Sequence, residues 1–146
     1  MTGPHKLLLV DDDENVISAL KRVLRGDEYI LLESHNAEEA LKVMQHEPID
    51  LIICDYRLPG MNGIDFFEMT TQKGYDTVNI ILTGKPDLTM AMDAINRAVL
   101  YKVLLKPWDN DILRVMLRRA LEQRETAREN QRLLAELRKR DGRTET

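Results

Sequence analysis

The chain has 146 residues, is 43% hydrophobic and 32% charged, and carries a net charge of −4, which suits one domain with an appendage. Its single cysteine, Cys54, excludes an intramolecular disulfide framework and Cys-rich zinc sites, and no apolar run approaches the roughly 18 residues of a membrane helix. Residues 1–113 carry 11 basic and 19 acidic side chains and residues 114–146 carry 10 basic and 6 acidic, so an acidic body that does not bind nucleic acid directly is expected to end in a basic tail.

In chain order, apolar runs alternate with segments of helical period. The first run, Lys6–Val10 (KLLLV), is too short for a secretory signal and ends in acids, so a cytoplasmic protein is expected. A helix follows, with Val16, Leu20, Val23 and Leu24 on one face. Tyr29–Glu33 is the second run. Asn36 caps a helix through Met44, with Glu38 and Glu39 in the first turn where the dipole favours acids. Leu51–Cys54 is the third run, with a helix from near Gly63. Asn79–Leu82 is the fourth, with a helix from Pro86 to about Arg97. Lys102–Leu105 is the fifth, and its helix begins after Asp109. Continuous apolarity fits strands buried on both faces. The pattern predicts an α/β fold: a doubly wound five-stranded parallel sheet with helices on both faces.

The last helix has no reason to stop at the domain edge, because Leu113 to Leu137 contains neither proline nor glycine. A heptad seam runs through Leu113, Met116, Ala120, Gln123, Ala127, Asn130, Leu134 and Leu137. The expected organisation is a domain over 1–122 and a helical extension over 123–146, serving as a coiled-coil stalk for a homodimer, as a linker to an output domain in a longer natural chain, or as a single solvated helix.

In doubly wound sheets the functional crevice lies beyond the carboxyl ends of the strands. Strand one ends there on Asp11 and Asp12, strand three on Asp55, strand four on Thr83 and strand five on Lys106. Clustered carboxylates repel unless a cation lies between them. An all-oxygen donor set selects a hard ion, Mg²⁺ first. Lys106 adds positive charge and Thr83 a hydrogen bond, which together suit phosphoryl transfer. In that chemistry a lone carboxylate becomes an aspartyl phosphate, a role that fits Asp55.

The stretches LLLVDDDENV, IICDYRLPGMNG, ILTG and LLKPW, in this order and spacing, resemble the receiver domain of two-component response regulators over roughly residues 5–122. The resemblance implies that Asp55 is the phosphoacceptor. Asp12 is then a direct Mg²⁺ ligand, Asp11 acts partly through water, and the backbone carbonyl of Arg57 completes the metal contacts. Thr83 supplies the hydroxyl that moves to the phosphoryl group, Lys106 pairs with that group, and the peptide before Pro107 is cis. Pro59 and Gly63 shape the turn that leaves room for the donor, a phosphohistidine on a sensor histidine kinase or phosphotransfer protein. The switched surface is the face around the fourth helix, fifth strand and fifth helix.

Three positions depart from the family pattern. Val103 stands where many receivers carry an aromatic switch residue, and Tyr101, an even shift along the strand, is expected on the same side one pleat further from the rim. Gly84 follows Thr83 where alanine is common, and Arg57 and Lys85 are both basic where neighbours influence phosphoryl lifetime.

Other readings are plainer. Asp13 is a helix cap. An EF-hand fails, since the sixth position from Asp11 is Val16 and the twelfth Arg22. Cys54 and Trp108 are packing residues, and His5, His35 and His46 have no metal-ligand spacing with one another. Two competing functions are weighed: a haloacid-dehalogenase-like phosphatase, against which the order of motifs counts because that family's nucleophile lies at the first strand instead of the third, and a dimerising scaffold that no longer signals, which the intact five-residue set opposes and Val103 keeps open.

Overall fold

Five apolar runs pair as parallel strands because their continuous Ile, Val and Leu content needs cover on both faces. In this computed structural model, which describes residues 3–84, 88–97 and 99–144, the order is β1 (Lys6–Val10), α1 (Glu14–Leu24), β2 (Ile30–Ser34), α2 (Ala37–His46), β3 (Leu51–Asp55), β4 (Arg57–Leu58), β5 (Met61–Asn62), α3 (Gly63–Gln72), β6 (Val78–Thr83), α4 (Leu88–Arg97), β7 (Lys102–Leu105) and α5 (Asn110–Thr144). The five-stranded sheet has the order β2-β1-β3-β6-β7, all parallel. The antiparallel pair β4–β5, two residues each, forms a small hairpin just after β3; it is too short to leave a periodic signal.

Alternation sorts the strand residues onto two faces. Leu7, Leu9, Leu51, Ile53, Ile80 and Leu82 face α1 and α5, meeting Leu20, Leu24, Leu113 and Leu117. Leu8, Val10, Ile52, Cys54 and Ile81 face α2, α3 and α4, meeting Ala40, Met44, Phe66, Phe67 and Met90. The first helix turns Ile17 inward with Leu20, Val23 and Leu24, while Val16 is only half-buried. Helix starts are set by short polar side chains. Asp13 accepts from the Asn15 N–H, Asn36 from Glu39, Asn62 from Asp65, and Asp109 from Asp111 and Ile112. The expected helix start at Pro86 lies outside the described residues.

Helix α5 differs from the heptad expectation over its first turns. Leu113 and Ala120 are 0% and 1% exposed in the domain's own core, so the sheet, not a second chain, covers that part of the seam. The later seam positions Gln123, Ala127, Asn130, Leu134 and Leu137 are exposed. Contact with the body also continues past residue 122. The Arg124 guanidinium donates to Asp50 Oδ1 at 2.6 Å and to the Asp76 carbonyl at 2.7 Å, and Arg128 pairs with Asp76 Oδ2 at 3.2 Å. Asp50 Oδ2 accepts the Lys6 N–H at 2.8 Å. One carboxylate therefore joins the start of β1, the start of β3 and the helix.

This clamp is testable. Burial pushes the Asp50 pKa up from 3.8, but the Lys6 N–H bond and the Arg124 charge prevail and hold it below that value. A lowered carboxylate pKa gives stability that is complete above the unfolded value, about pH 4, and lost as pH falls through the folded one. Arg124→Ala leaves Asp50 short of a partner and should cost about 1–3 kcal/mol, read as a lower urea midpoint at neutral pH, with the deficit shrinking in acid. A variant with the wild-type midpoint means that the clamp contributes nothing.

Candidate functional site

The carboxyl ends of β1, β3, β6 and β7 meet at one edge of the sheet. Asp11 follows directly on β1, and its N–H donates to the Ser34 carbonyl at 3.1 Å, prolonging the β1–β2 pairing. Its side chain is buried, at 1% exposure, and Oδ1 accepts the Asp13 N–H at 2.8 Å. Asp12 beside it is exposed. Asp55 ends β3, in register with Leu82. One carboxylate oxygen from each of Asp11, Asp12 and Asp55 lies within 4.8 Å of the others. Lys106, just past β7, sets its Nζ 3.4 Å from both Asp11 Oδ2 and Asp55 Oδ1. Its own N–H donates to the Thr83 carbonyl at 2.8 Å, and the Lys106–Pro107 peptide is cis. Thr83 is buried at the end of β6, one residue past the partner of Asp55.

The electrostatics follow from burial. Asp11 has its pKa raised from 3.8, first by burial and then by the neighbouring Asp55 charge, against the Asp13 N–H and Lys106, which lower it. The single ammonium of Lys106 faces two of the three acids. A hard cation is the natural counter-charge for the remainder.

The loop after Asp55 is shaped by two glycines with different tasks. Gly60 has φ +85; with Pro59 before it, the β4–β5 connection has the Pro-Gly pairing of a type II turn. Gly63 donates its N–H to the Tyr56 carbonyl at 2.7 Å. A Cβ at Gly63 would lie 2.8 Å from the Asp55 carbonyl oxygen and 2.5 Å from Ile81 Cδ1, so only glycine lets α3 begin against the backbone of Asp55. The turn pattern of the sequence marked Gly63, but not this close approach. Arg57 is exposed at the start of β4. Cys54 is fully buried and burial pushes its thiol pKa well up, which makes it an inert core residue. Trp108 packs against the α1–α5 side of the core and donates to Asn110 Oδ1 at 3.0 Å.

Tyr101 departs from expectation. It precedes β7, its N–H donates to the Asn79 carbonyl at 2.8 Å, and its ring packs with the cluster that holds Leu104 and Met116. Leu104 and Val103 point to opposite faces of the sheet, so Tyr101 lies on the α5 side and not beside Val103. The even-shift rule fails because residue 101 is outside the strand. Val103 itself is 36% exposed. Gly84 is exposed beside Thr83, and Lys85 lies outside the described residues.

Residues 7–118 match the family model for the response regulator receiver domain. The chain belongs to that family. Among curated relatives, the hydrogenase transcriptional regulatory protein HoxA of Cupriavidus necator is 33% identical over 132 residues, 90% of this chain and 27% of that protein. The C4-dicarboxylate transport transcriptional regulatory protein DctD of Rhizobium meliloti is 31% identical over 91% of this chain and 29% of its own length. The receiver thus spans about a quarter of the length of these relatives. The signal receiver domain of an HD domain-containing protein from Pseudomonas fluorescens superposes with a TM-score of 0.83 at 36% identity, covering 88% of this chain and 95% of that one. A protein described as an adenylate cyclase from Rhodopirellula baltica gives 0.79 at 30% identity, over 90% and 97% of the two chains. Receiver domains of response regulators are signalling modules, and neither the phosphatase nor the scaffold reading draws support from these relatives. No helix among the described residues is long and apolar enough to cross a membrane.

The raised Asp11 pKa yields a prediction about the metal-free receiver. An acid whose folded pKa lies above its unfolded value destabilises the fold as pH rises through that window. Asp11→Asn removes the buried charge and should raise the urea midpoint at neutral pH in chelator, with no gain at a pH below the ordinary carboxylate range. Equal midpoints at both pH values would rule out the repulsion.

Proposed function

We propose that Asp55 is the phosphoacceptor of this receiver, taking a phosphoryl group from a phosphohistidine on a sensor histidine kinase or phosphotransfer protein in a Mg²⁺-dependent reaction. The observation that carries the reading is the convergence of Asp11, Asp12 and Asp55 within 4.8 Å, with Lys106 Nζ 3.4 Å from two of them. The donors fit Mg²⁺: all are oxygens, and the buried Asp11 shares the Lys106 ammonium with Asp55. Asp11, Asp12, Asp55 and the backbone carbonyl of Arg57 hold the ion. When bound, it neutralises charge on the phosphoryl oxygens and on the acids around them.

A carboxylate oxygen of Asp55 forms the new bond to phosphorus as the phosphorus–nitrogen bond to the donor imidazole breaks, the electron pair leaving on that nitrogen. Lys106 offsets the charge on Asp55 and then on the transferred group. Thr83 turns its hydroxyl to the phosphoryl oxygens. The added group brings about −1.5 to −2 charges, enough to bias the packing of the adjoining elements. The surface that responds is α4–β7–α5, where Met92, Val103, Leu105, Ile112 and Val115 are exposed. With Val103 in place of an aromatic residue, a ring moving inward with Thr83 is not part of this switch.

Helix α5 starts in that surface and carries the change outward. Residues 123–144 act as a helical linker from the receiver toward an output domain, and as a dimer contact through the exposed Leu133, Leu134 and Leu137. The partial coverage of the HoxA and DctD relatives supports the linker reading.

Incubation with Mg²⁺ and acetyl phosphate, followed by intact mass, tests the chemistry. Wild type should gain one phosphoryl group, Asp55→Ala none, and chelator should abolish the gain. An adduct of equal yield in Asp55→Ala would sink the assignment. For the dimer, sedimentation of the phosphorylated chain should show association that Leu134→Asp with Leu137→Asp removes; an unchanged association state retires that contact.

A further inference from the structure

We propose that Glu14, Glu33 and His35 form a second cation site, distinct from the acidic pocket and suited to a borderline transition-metal ion such as Zn²⁺. The three come from separate elements: Glu14 opens α1, Glu33 lies near the end of β2, and His35 follows β2 in the loop before α2. One ligand atom from each lies within 4.8 Å of the others, and His35 Nε2 is in direct contact with Glu14 Oε1. Ligands at Zn²⁺ bond lengths lie ~3.4 Å apart in a tetrahedral site, so closing the set calls for a small movement of the exposed Glu14 and half-buried Glu33 side chains.

The histidine is already oriented for this role. Asn36 caps α2 by accepting the Glu39 N–H at 2.8 Å. That placement brings Glu39 Oε2 back to the loop, where it accepts the His35 backbone N–H at 2.9 Å and lies 3.4 Å from the ring Nδ1. The ring thus faces a carboxylate at each nitrogen; a metal that takes the Nε2 position displaces any proton there, and Glu39 is placed to keep the Nδ1 proton, the outer-sphere arrangement that metal-bound histidines commonly use. Glu39 is thus a positioning residue, and Nε2 already points at Glu14.

Donor type separates the two sites. The pocket at Asp11, Asp12 and Asp55 offers only oxygens and suits a hard ion. Imidazole with two carboxylates suits Zn²⁺, Ni²⁺ or Cu²⁺, and three protein ligands leave one position for water. Lys21 is the built-in competitor, since its Nζ pairs with Glu33 Oε2 and a metal has to share that carboxylate with it. Occupancy ties the amino end of α1 to the end of β2. Glu14 stands two residues past Asp12, so the same tether holds the loop that carries the paired acids.

Calorimetric titration of the full chain with Zn²⁺, in excess Mg²⁺ to keep the acidic pocket filled, tests the site. One equivalent should bind, with affinity reduced at least tenfold in His35→Ala and in Glu33→Gln and increased in Lys21→Ala. His5→Ala, whose ring pairs with Glu125 elsewhere, should match wild type. Thermal stabilisation by Mg²⁺ should be the same in His35→Ala as in wild type, which shows the variant folded and the other pocket intact. If wild type takes up no Zn²⁺ under these conditions, or His35→Ala binds it equally well, the proposal is wrong. Either result leaves the phosphoacceptor reading of Asp55 untouched.

Discussion

Like charges forced together at the end of an apolar sheet are the constraint on which the rest of this receiver depends. Asp11 is almost without solvent contact, and Asp55 and Asp12 lie within a few ångströms of it. Such a set persists only because the remainder of the fold is strong enough to hold it. The central strands β1, β3 and β6 are buried on both faces, and each is locked in parallel register to its neighbours. The acids sit at or just past the ends of these buried strands. Lys106, just past β7, offsets part of the repulsion, and its one ammonium faces two of the three acids.

The space around Asp55 is set by backbone as much as by side chains. Gly63 lets α3 begin against the Asp55 carbonyl, and the Pro59–Gly60 turn folds the intervening residues into a hairpin beside the pocket. Asp55 is therefore held by its backbone, with 13% of its side chain left exposed.

The opposite pole of the domain is organised by a different charge arrangement. Arg124 reaches Asp50 and the carbonyl of Asp76, with only 10% of its side chain exposed, and Arg128 adds a second contact to Asp76. Helix α5 is consequently fixed to the body at both ends of the sheet, by Leu113 and Leu117 in the core and by arginines below it. Beyond these contacts Leu133, Leu134 and Leu137 lie exposed along the helix.

Much of this was legible in the chain itself. Runs such as LIIC and KLLLV specify buried parallel strands through composition alone, and the crevice rule then says which residues stand at the rim. Asp11, Asp12, Asp55, Thr83 and Lys106 could be listed before any coordinate was known. Sequence could not say which face of a helix finds a partner inside its own domain. Leu113 and Ala120 read as seam residues because a heptad pattern and a core-facing stripe look alike over a few turns, and only the packed sheet distinguishes them. Tyr101 changed sides because its strand begins one residue later than strict alternation assumes. The Arg124 clamp and the grouping of Glu14, Glu33 and His35 join residues with no shared local period. Local order is written in short-range pattern; contacts between charged side chains far apart in the chain exist only once the strands have paired and brought their ends together.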